Sequence, residues 1–142
     1  MAFAARGGRV NTDFIDNSAG VDCSDNEVNI KIALNREMAE GRLAQADRDA
    51  LLLAMTDDVG ALVLEDNRLQ ALALSIAEQG GAAAVPSMLR VIEGFESTGR
   101  LDRQVEGLAA NDELQRRAQD GHGLYRPELA VLLSTAKLTL QD

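Results

Sequence analysis

The chain has 142 residues, 23 acids against 14 bases, and a formal net charge of −9. That length suits one domain, or one domain with an appended arm, and is enough to bury a core without metal or disulfide support. A single cysteine excludes an intrachain disulfide framework, no apolar run reaches the about 18 residues of a membrane span, and no basic footprint suits nucleic acid. The first residues, Met1 to Gly8, lack the apolar stretch of a signal peptide, so a soluble, cytoplasmic protein is expected.

Ala and Leu, with 22 and 20 residues, make up more than a quarter of the chain, whereas aromatics are 3% and Trp is absent. The expected fold is all-α, an irregular bundle of about five to seven helices with an extended N-terminal arm. Residues 1–23 form the arm and 24–142 the helical domain. Met1–Ser24 holds Gly7, Gly8 and Gly20 and the isolated acids Asp13, Asp16 and Asp22. Within it, Arg9–Ile15 reads as an extended segment or short strand and Asn17–Gly20 as a turn. This stretch looks like an arm, or like the cut end of something larger.

Ser24-Asp25-Asn26-Glu27 has the form of a capping box, in which Ser24 accepts the Glu27 N–H and Glu27 reaches back to Ser24. The helix it opens runs to about Glu40, with Gly41 as its C-cap. Val28, Ile32 and Asn35 or Ala39 share one face, Ile30 and Leu34 another. Asp47–Gln79 is a second helical block, its seam Leu52, Met55, Val59, Leu62, Asp66, Leu69, Ala73 and Ile76 broken once, at Asp66. The block is long for one helix, so two helices meeting near Thr56 are expected, with Thr56 capping the second. Gly80-Gly81 ends it.

Val85–Ser97 follows as a helix with Pro86 in its first turn and a stripe of Leu89, Ile92 and Phe95 or Glu96, closed by Gly99. Leu101–Leu108 is a short helical turn. Asn111-Asp112-Glu113 starts a helix ending at Gly121. Pro127 opens the last one, with Leu129, Leu132, Leu133, Ala136 and Leu140 on its buried side. The chain stops at Asp142 without a C-cap glycine, which reads as an artificial end.

Few residues suit catalysis. Gly121-His122-Gly123 lacks the third glycine and preceding strand of a phosphate loop, and reads as a helix end followed by a loop. His122 and Cys23 are single representatives of their types, so no Cys/His metal cluster can form. Only two lysines are present, Lys31 and Lys137. Glu65 and Asp66 are adjacent on a helix and point about 100° apart, so they form no acid–base dyad. Asp66 either meets an arginine such as Arg68, Arg90 or Arg103 or lies on a solvated face.

The run Asn11-Thr12-Asp13-Phe14-Ile15-Asp16-Asn17-Ser18-Ala19-Gly20-Val21-Asp22-Cys23-Ser24-Asp25-Asn26-Glu27-Val28-Asn29-Ile30-Lys31 is denser in Asn, Asp and Ser than a cap requires. Hydroxyl, amide and helix dipole would converge there, an arrangement suited to an anion. The run resembles the signature of the large bacterial NAD-specific glutamate dehydrogenases. The likeness continues in Met55-Thr56-Asp57-Asp58-Val59, Asp66-Asn67, Leu69-Gln70, Leu72-Ala73-Leu74-Ser75 and Leu101-Asp102-Arg103. It closes with Arg126-Pro127-Glu128-Leu129-Ala130-Val131-Leu132-Leu133 and Ala136-Lys137. It covers nearly the whole chain, from about Gly8 to Asp142.

The resemblance implies one piece of a much longer enzyme, following its dinucleotide-binding fold. The intact enzyme would deaminate L-glutamate oxidatively to 2-oxoglutarate and ammonia, passing hydride to NAD, as a homo-oligomer. Asn17 would sit near the nicotinamide ribose of NAD, and Ser24 would hold the side-chain carboxylate of glutamate. Catalytic lysine, catalytic aspartate and glycine-rich loop lie upstream in that family, so this piece offers no catalytic residue and is expected to be inactive and cofactor-free alone. Its partners would be the remaining domains of the enzyme. Asn26 departs from the family pattern, which has His there. A different reading is a stand-alone helical interaction module that pairs through the Leu52–Ile76 seam. Such a module has no need of the Asn17–Glu27 constellation.

Overall fold

Strong helix formers and short β-branched runs make the chain predominantly helical: in the computed structural model, which describes residues 1–141, no strand is present among the described residues. Eight helices follow in order: α1 (Ala2–Ala5), α2 (Asp13–Asp16), α3 (Ser18–Ala39), α4 (Gln45–Ala54), α5 (Thr56–Gln79), α6 (Gly81–Ser97), α7 (Asn111–Gln119) and α8 (Arg126–Gln141). The all-α expectation therefore holds, with α1 and α2 single turns in the N-terminal segment. The expected end at Asp142 lies outside the described residues.

Several local expectations are corrected. Arg9–Ile15 is not a strand, because no neighbouring strand receives its backbone groups and α2 begins within it. Asn17–Gly20 is not a separate turn but the entry to α3, with the Gly20 N–H donating to the Asn17 carbonyl at 3.2 Å. The capping box at Ser24 does not form, since α3 starts six residues earlier and the helical ladder already takes the amides of that region. Ser24 instead donates to the Gly20 carbonyl at 3.0 Å, and Glu27 pairs with Lys31. Thr56 donates back to the Leu52 carbonyl at 3.1 Å rather than capping forward. The expected join of two helices is nonetheless there, at the single residue Met55.

Helix α6 begins at Gly81, four residues ahead of expectation, because Gly81 adopts φ +49° and turns the chain directly out of α5. Pro86 thus lies in its second turn. Leu101–Leu108 holds the expected single turn, closed by the Glu106 amide on the Asp102 carbonyl at 3.0 Å and held by Asp102 Oδ1, which accepts the Gln104 and Val105 amides. Leu140 is exposed rather than buried. Gly41, Gly99 and Gly121 do end α3, α6 and α7 as expected. Each takes a positive φ, and the next amide bonds back to the Glu37, Phe95 or Arg117 carbonyl.

The chain forms two compact units. One comprises Met1–Asp13 and the chain from Ala71 onward, and the other is Phe14–Gln70. The first holds a continuous apolar core of Leu74, Val85, Leu89, Ile92, Leu101, Leu108, Leu114, Leu124, Leu129, Ala130, Val131 and Leu132, with Ala4 from α1. Inside it Arg117 donates to both Glu128 carboxylate oxygens, at 3.1 and 2.7 Å, and its guanidinium lies 4.4 Å from the Tyr125 ring centroid. Glu128 also accepts the Tyr125 amide at 2.7 Å, capping α8. The Gly123 backbone packs so close to that of Gly81 that a side chain there would collide.

The second unit is built differently. Its buried apolar residues are Ile15 and Val63, and α3 buries none of its side chains fully. The buried stripe of α5 in this unit is Val59, Val63, Asn67 and Gln70, so the expected seam is rotated by one position beyond Val59. Leu62, Asp66 and Leu69 consequently face solvent. Asp66 is on a solvated face, while Arg68 pairs with Glu65, Arg90 with Ser87, and Arg103 with Glu96.

Candidate functional site

The Asn- and Ser-rich run supplies the first two turns of α3. Asn17 is the N-cap residue, yet its carboxamide makes no capping hydrogen bond and is exposed. Its Oδ1 lies 3.3 Å from where a Cβ at Gly20 would stand, so a glycine there leaves the carboxamide its room. The unsatisfied amides of the α3 N-terminus, which favour an anion, lie beside Asn17 and not beside Ser24.

Ser24 is also exposed, and it follows Asn17 by seven residues. Seven residues are close to two helical turns, so the two side chains share one face, separated by about 10 Å along the axis. Val21, Val28 and Ile32 continue that face and are 60%, 53% and 64% exposed. The expected site residues therefore stand together on an uncovered, partly apolar face. Nearby, Asn26 donates to the Asp22 carbonyl at 2.9 Å and to its Oδ1 at 3.1 Å, while Asp22 Oδ2 is enclosed without a partner. Lys31 holds the Glu27 carboxyl below its ordinary value through their hydrogen bond.

Opposite Asn17, Ser18 points inward. Its Oγ donates to Asn67 Oδ1 at 2.6 Å and accepts from Gln70 Nε2 at 2.8 Å. Asn67 Nδ2 donates to the Val63 carbonyl at 2.9 Å, which fixes its amide with the oxygen toward Ser18. Sequence reasoning missed this trio. The available signal was two amides, Asn67 and Gln70, at positions that continue the Val59–Val63–Leu74 stripe. It also missed Arg126, whose guanidinium donates to Asn11 Oδ1, Ser75 Oγ, Glu78 and the Ala71 carbonyl, anchoring the N-terminal segment of its own unit.

His122 and Cys23 are exposed, and among the described residues no group of three His, Cys, Asp or Glu side chains could hold a metal ion. No helix is long and apolar enough to cross a membrane among the described residues. Lys31 lies mid-helix, paired with Glu27.

The comparisons with known proteins agree with this signature. Residues 1–77 match the family described as bacterial NAD-glutamate dehydrogenase, catalytic domain. The whole chain is 47% identical to an NAD-specific glutamate dehydrogenase of Pseudomonas aeruginosa and 41% identical to one of Mycobacterium tuberculosis. Over 99% of the chain, one from Halomonas elongata is 46% identical. In each case the chain spans 9% of the relative's length. With its signature run, its closing Arg126–Leu133 motif and these matches in agreement, the chain belongs to the bacterial NAD-specific glutamate dehydrogenase family and corresponds to a small part of such an enzyme.

Proposed function

We propose that this chain supplies part of the wall of the substrate and cofactor site of an NAD-dependent glutamate dehydrogenase, and that it is inactive alone. The intact enzyme would oxidise L-glutamate to 2-oxoglutarate and ammonia, working in the cytoplasm as a homo-oligomer. The observation that supports this reading is the shared exposed face of Asn17 and Ser24 on α3, with the Asn17 carboxamide left out of capping.

A carboxamide carries both donors and an acceptor, which fits a ribose hydroxyl of NAD. NAD, when bound, accepts the hydride. Asn17 orients the nicotinamide end by holding that ribose. Ser24 presents its hydroxyl to the side-chain carboxylate of glutamate, turning its proton away from the Gly20 carbonyl to do so. Residues that move protons belong to the rest of the enzyme. Without the cofactor-binding fold, this piece cannot bring a nicotinamide against a substrate Cα–H.

The uncovered Val21, Val28 and Ile32 favour a second reading, a helical interaction module. In a part of a longer enzyme the same face is covered by the remaining domains, and the two readings separate on ligand dependence. In the full-length enzyme, Ser24→Ala should raise KM for glutamate at least about tenfold, the scale of one charge-assisted hydrogen bond. Unchanged KM values in Ser24→Ala and Asn17→Ala would favour the interaction module. Titration of NAD and glutamate, separately and together, into the 142-residue chain should give no binding.

A further inference from the structure

We propose that Asn67 and Gln70 are positioning residues for the cofactor contact at Asn17. Through Ser18 they seat the N-terminal end of α3. The proposal rests on the reading of Asn17 as a contact of NAD.

The hydrogen bonds form one directed chain. The Gln70 amide donates to Ser18 Oγ, Ser18 donates to Asn67 Oδ1, and the Asn67 amide donates to the Val63 carbonyl. Each group uses the donor the next one needs, so the links polarise one another in the same sense. The Ile15 carbonyl, 3.0 Å from Ser18 Oγ, is an alternative acceptor for the same hydroxyl proton, and the shorter Asn67 contact takes it. Asn67 and Gln70 come 49 and 52 residues after Ser18, so the trio is a tertiary tether and not a local cap.

Burial alone does not account for these side chains. Both stand on the half-buried stripe of α5 that Val59 and Val63 begin, where apolar residues would pack with less desolvation. What the amides add is direction. They hold one rotational setting of the first turn of α3, with Ser18 turned inward and its neighbour Asn17 outward. Release of Ser18 lets that turn fray, because α3 has no fully buried residue to hold it.

Asn67→Leu separates seating from packing, since it fills the stripe while removing the acceptor. Amide hydrogen exchange on the 142-residue chain should show residues 22–24, whose amides bond back to the first turn of α3, exchanging at least about fivefold faster in Asn67→Leu and Gln70→Ala, with α6 and α8 unchanged. Asn67→Asp keeps the acceptor for Ser18 but loses the donor to the Val63 carbonyl, and exchange should fall between that of the parent and that of Asn67→Leu. In the full-length enzyme, Asn67→Leu should raise KM for NAD about threefold to tenfold with kcat within about twofold, and Asn67→Asp should raise it less. Unaltered exchange at residues 22–24 overturns the proposal. So does an unaltered KM for NAD in Asn67→Leu when Asn17→Ala raises it, and the cofactor reading then stands. Should Asn17→Ala leave that KM unchanged, the cofactor reading itself fails and takes this proposal with it.

Discussion

The two units solve the folding problem in opposite ways. The unit containing the chain from Ala71 onward closes its apolar stripes on each other, and Leu74, Ile92 and Leu114 are at most 1% exposed. The Phe14–Gln70 unit leaves Val21, Val28, Ile32, Leu53, Leu62 and Leu64 in solvent and relies on helix propensity, i,i+4 ion pairs and the Ser18–Asn67–Gln70 tether. A long helix gains most of its stability from packing an apolar face. The unit that carries Asn17 and Ser24 is thus the one with the smaller core of its own.

The comparison predicts where mutation is felt. The largest expected loss follows Glu128→Gln in the core-forming unit. It leaves the buried Arg117 charge with only the more distant Glu113 carboxylate, 3.7 Å from its Nε, and weakens the cap on the Tyr125 amide. Breaking a buried pair in this manner costs about 3–5 kcal/mol, read as a fall in the urea midpoint. Glu65→Gln, in the exposed pair with Arg68, should leave that midpoint unchanged. Similar losses from the two substitutions would mean that the units do not differ in the way described.

Core truncation should divide the units equally well. Leu114→Ala removes a side chain only 1% exposed and should cost about 2–5 kcal/mol. Ile32→Ala, of comparable chemistry on the uncovered face of α3, should stay within about 0.5 kcal/mol in the isolated chain. If the remaining domains cover that face, as proposed, the same Ile32→Ala should become costly in the full-length enzyme. Thermal unfolding of both forms tests this, and an equal effect in the two settings would show that the face stays bare.

How much of this was legible in the sequence follows the same division. The glycines that end α3, α6 and α7 were readable because a positive φ is a local property of Gly41, Gly99 and Gly121. The Leu129–Leu132 stretch of α8 was readable from its run of apolar residues and Pro127. The α5 register was not. A heptad through Leu62 and Leu69 is as regular as the observed stripe through Val63 and Asn67, and the choice between them depends on what α5 packs against. Ser24 was misread for a related reason. Its S-x-x-E pattern is a valid helix start, but Ser18–Cys23 is helical already and leaves Ser24 nothing to cap. Asn17 and Ser24 themselves came from family likeness, and their shared face appears only once α3 is known to run unbroken through both.

A smaller effect, about 1–3 kcal/mol, is expected from Arg126→Ala. Its guanidinium serves Asn11, Ser75, Glu78 and the Ala71 carbonyl within one unit, and its side chain is 13% exposed. Loss of the Asn11 contact should free the Met1–Asp13 segment and speed tryptic cleavage after Arg6 and Arg9. Arg126→Lys should behave like the alanine variant, since one ammonium cannot spread over four acceptors as a guanidinium does.

The smallest and most diagnostic effect is the pH dependence of the carboxylates. Arg103 donates to both Glu96 oxygens, at 2.9 and 2.6 Å, and holds the Glu96 carboxyl below its ordinary value of 4.5. A depressed folded value contributes stability that is fully present above about pH 4.5 and is lost as pH falls through the folded value. Arg103 also donates to Asn111 and to the Ala109 carbonyl, so its guanidinium is held in place from three directions. Glu37 and Glu65 are likewise lowered by Arg42 and Arg68, but those pairs are exposed. Salt should separate the two kinds. In about 0.5 M NaCl the exposed pairs are screened, whereas the half-buried Arg103–Glu96 pair keeps its contribution. The acid-side fall in the urea midpoint should therefore persist at high salt and vanish in Glu96→Gln. Should the fall instead be abolished by salt in the parent chain, the exposed pairs of the Phe14–Gln70 unit carry it, and the ordering of the two units by electrostatic stability reverses.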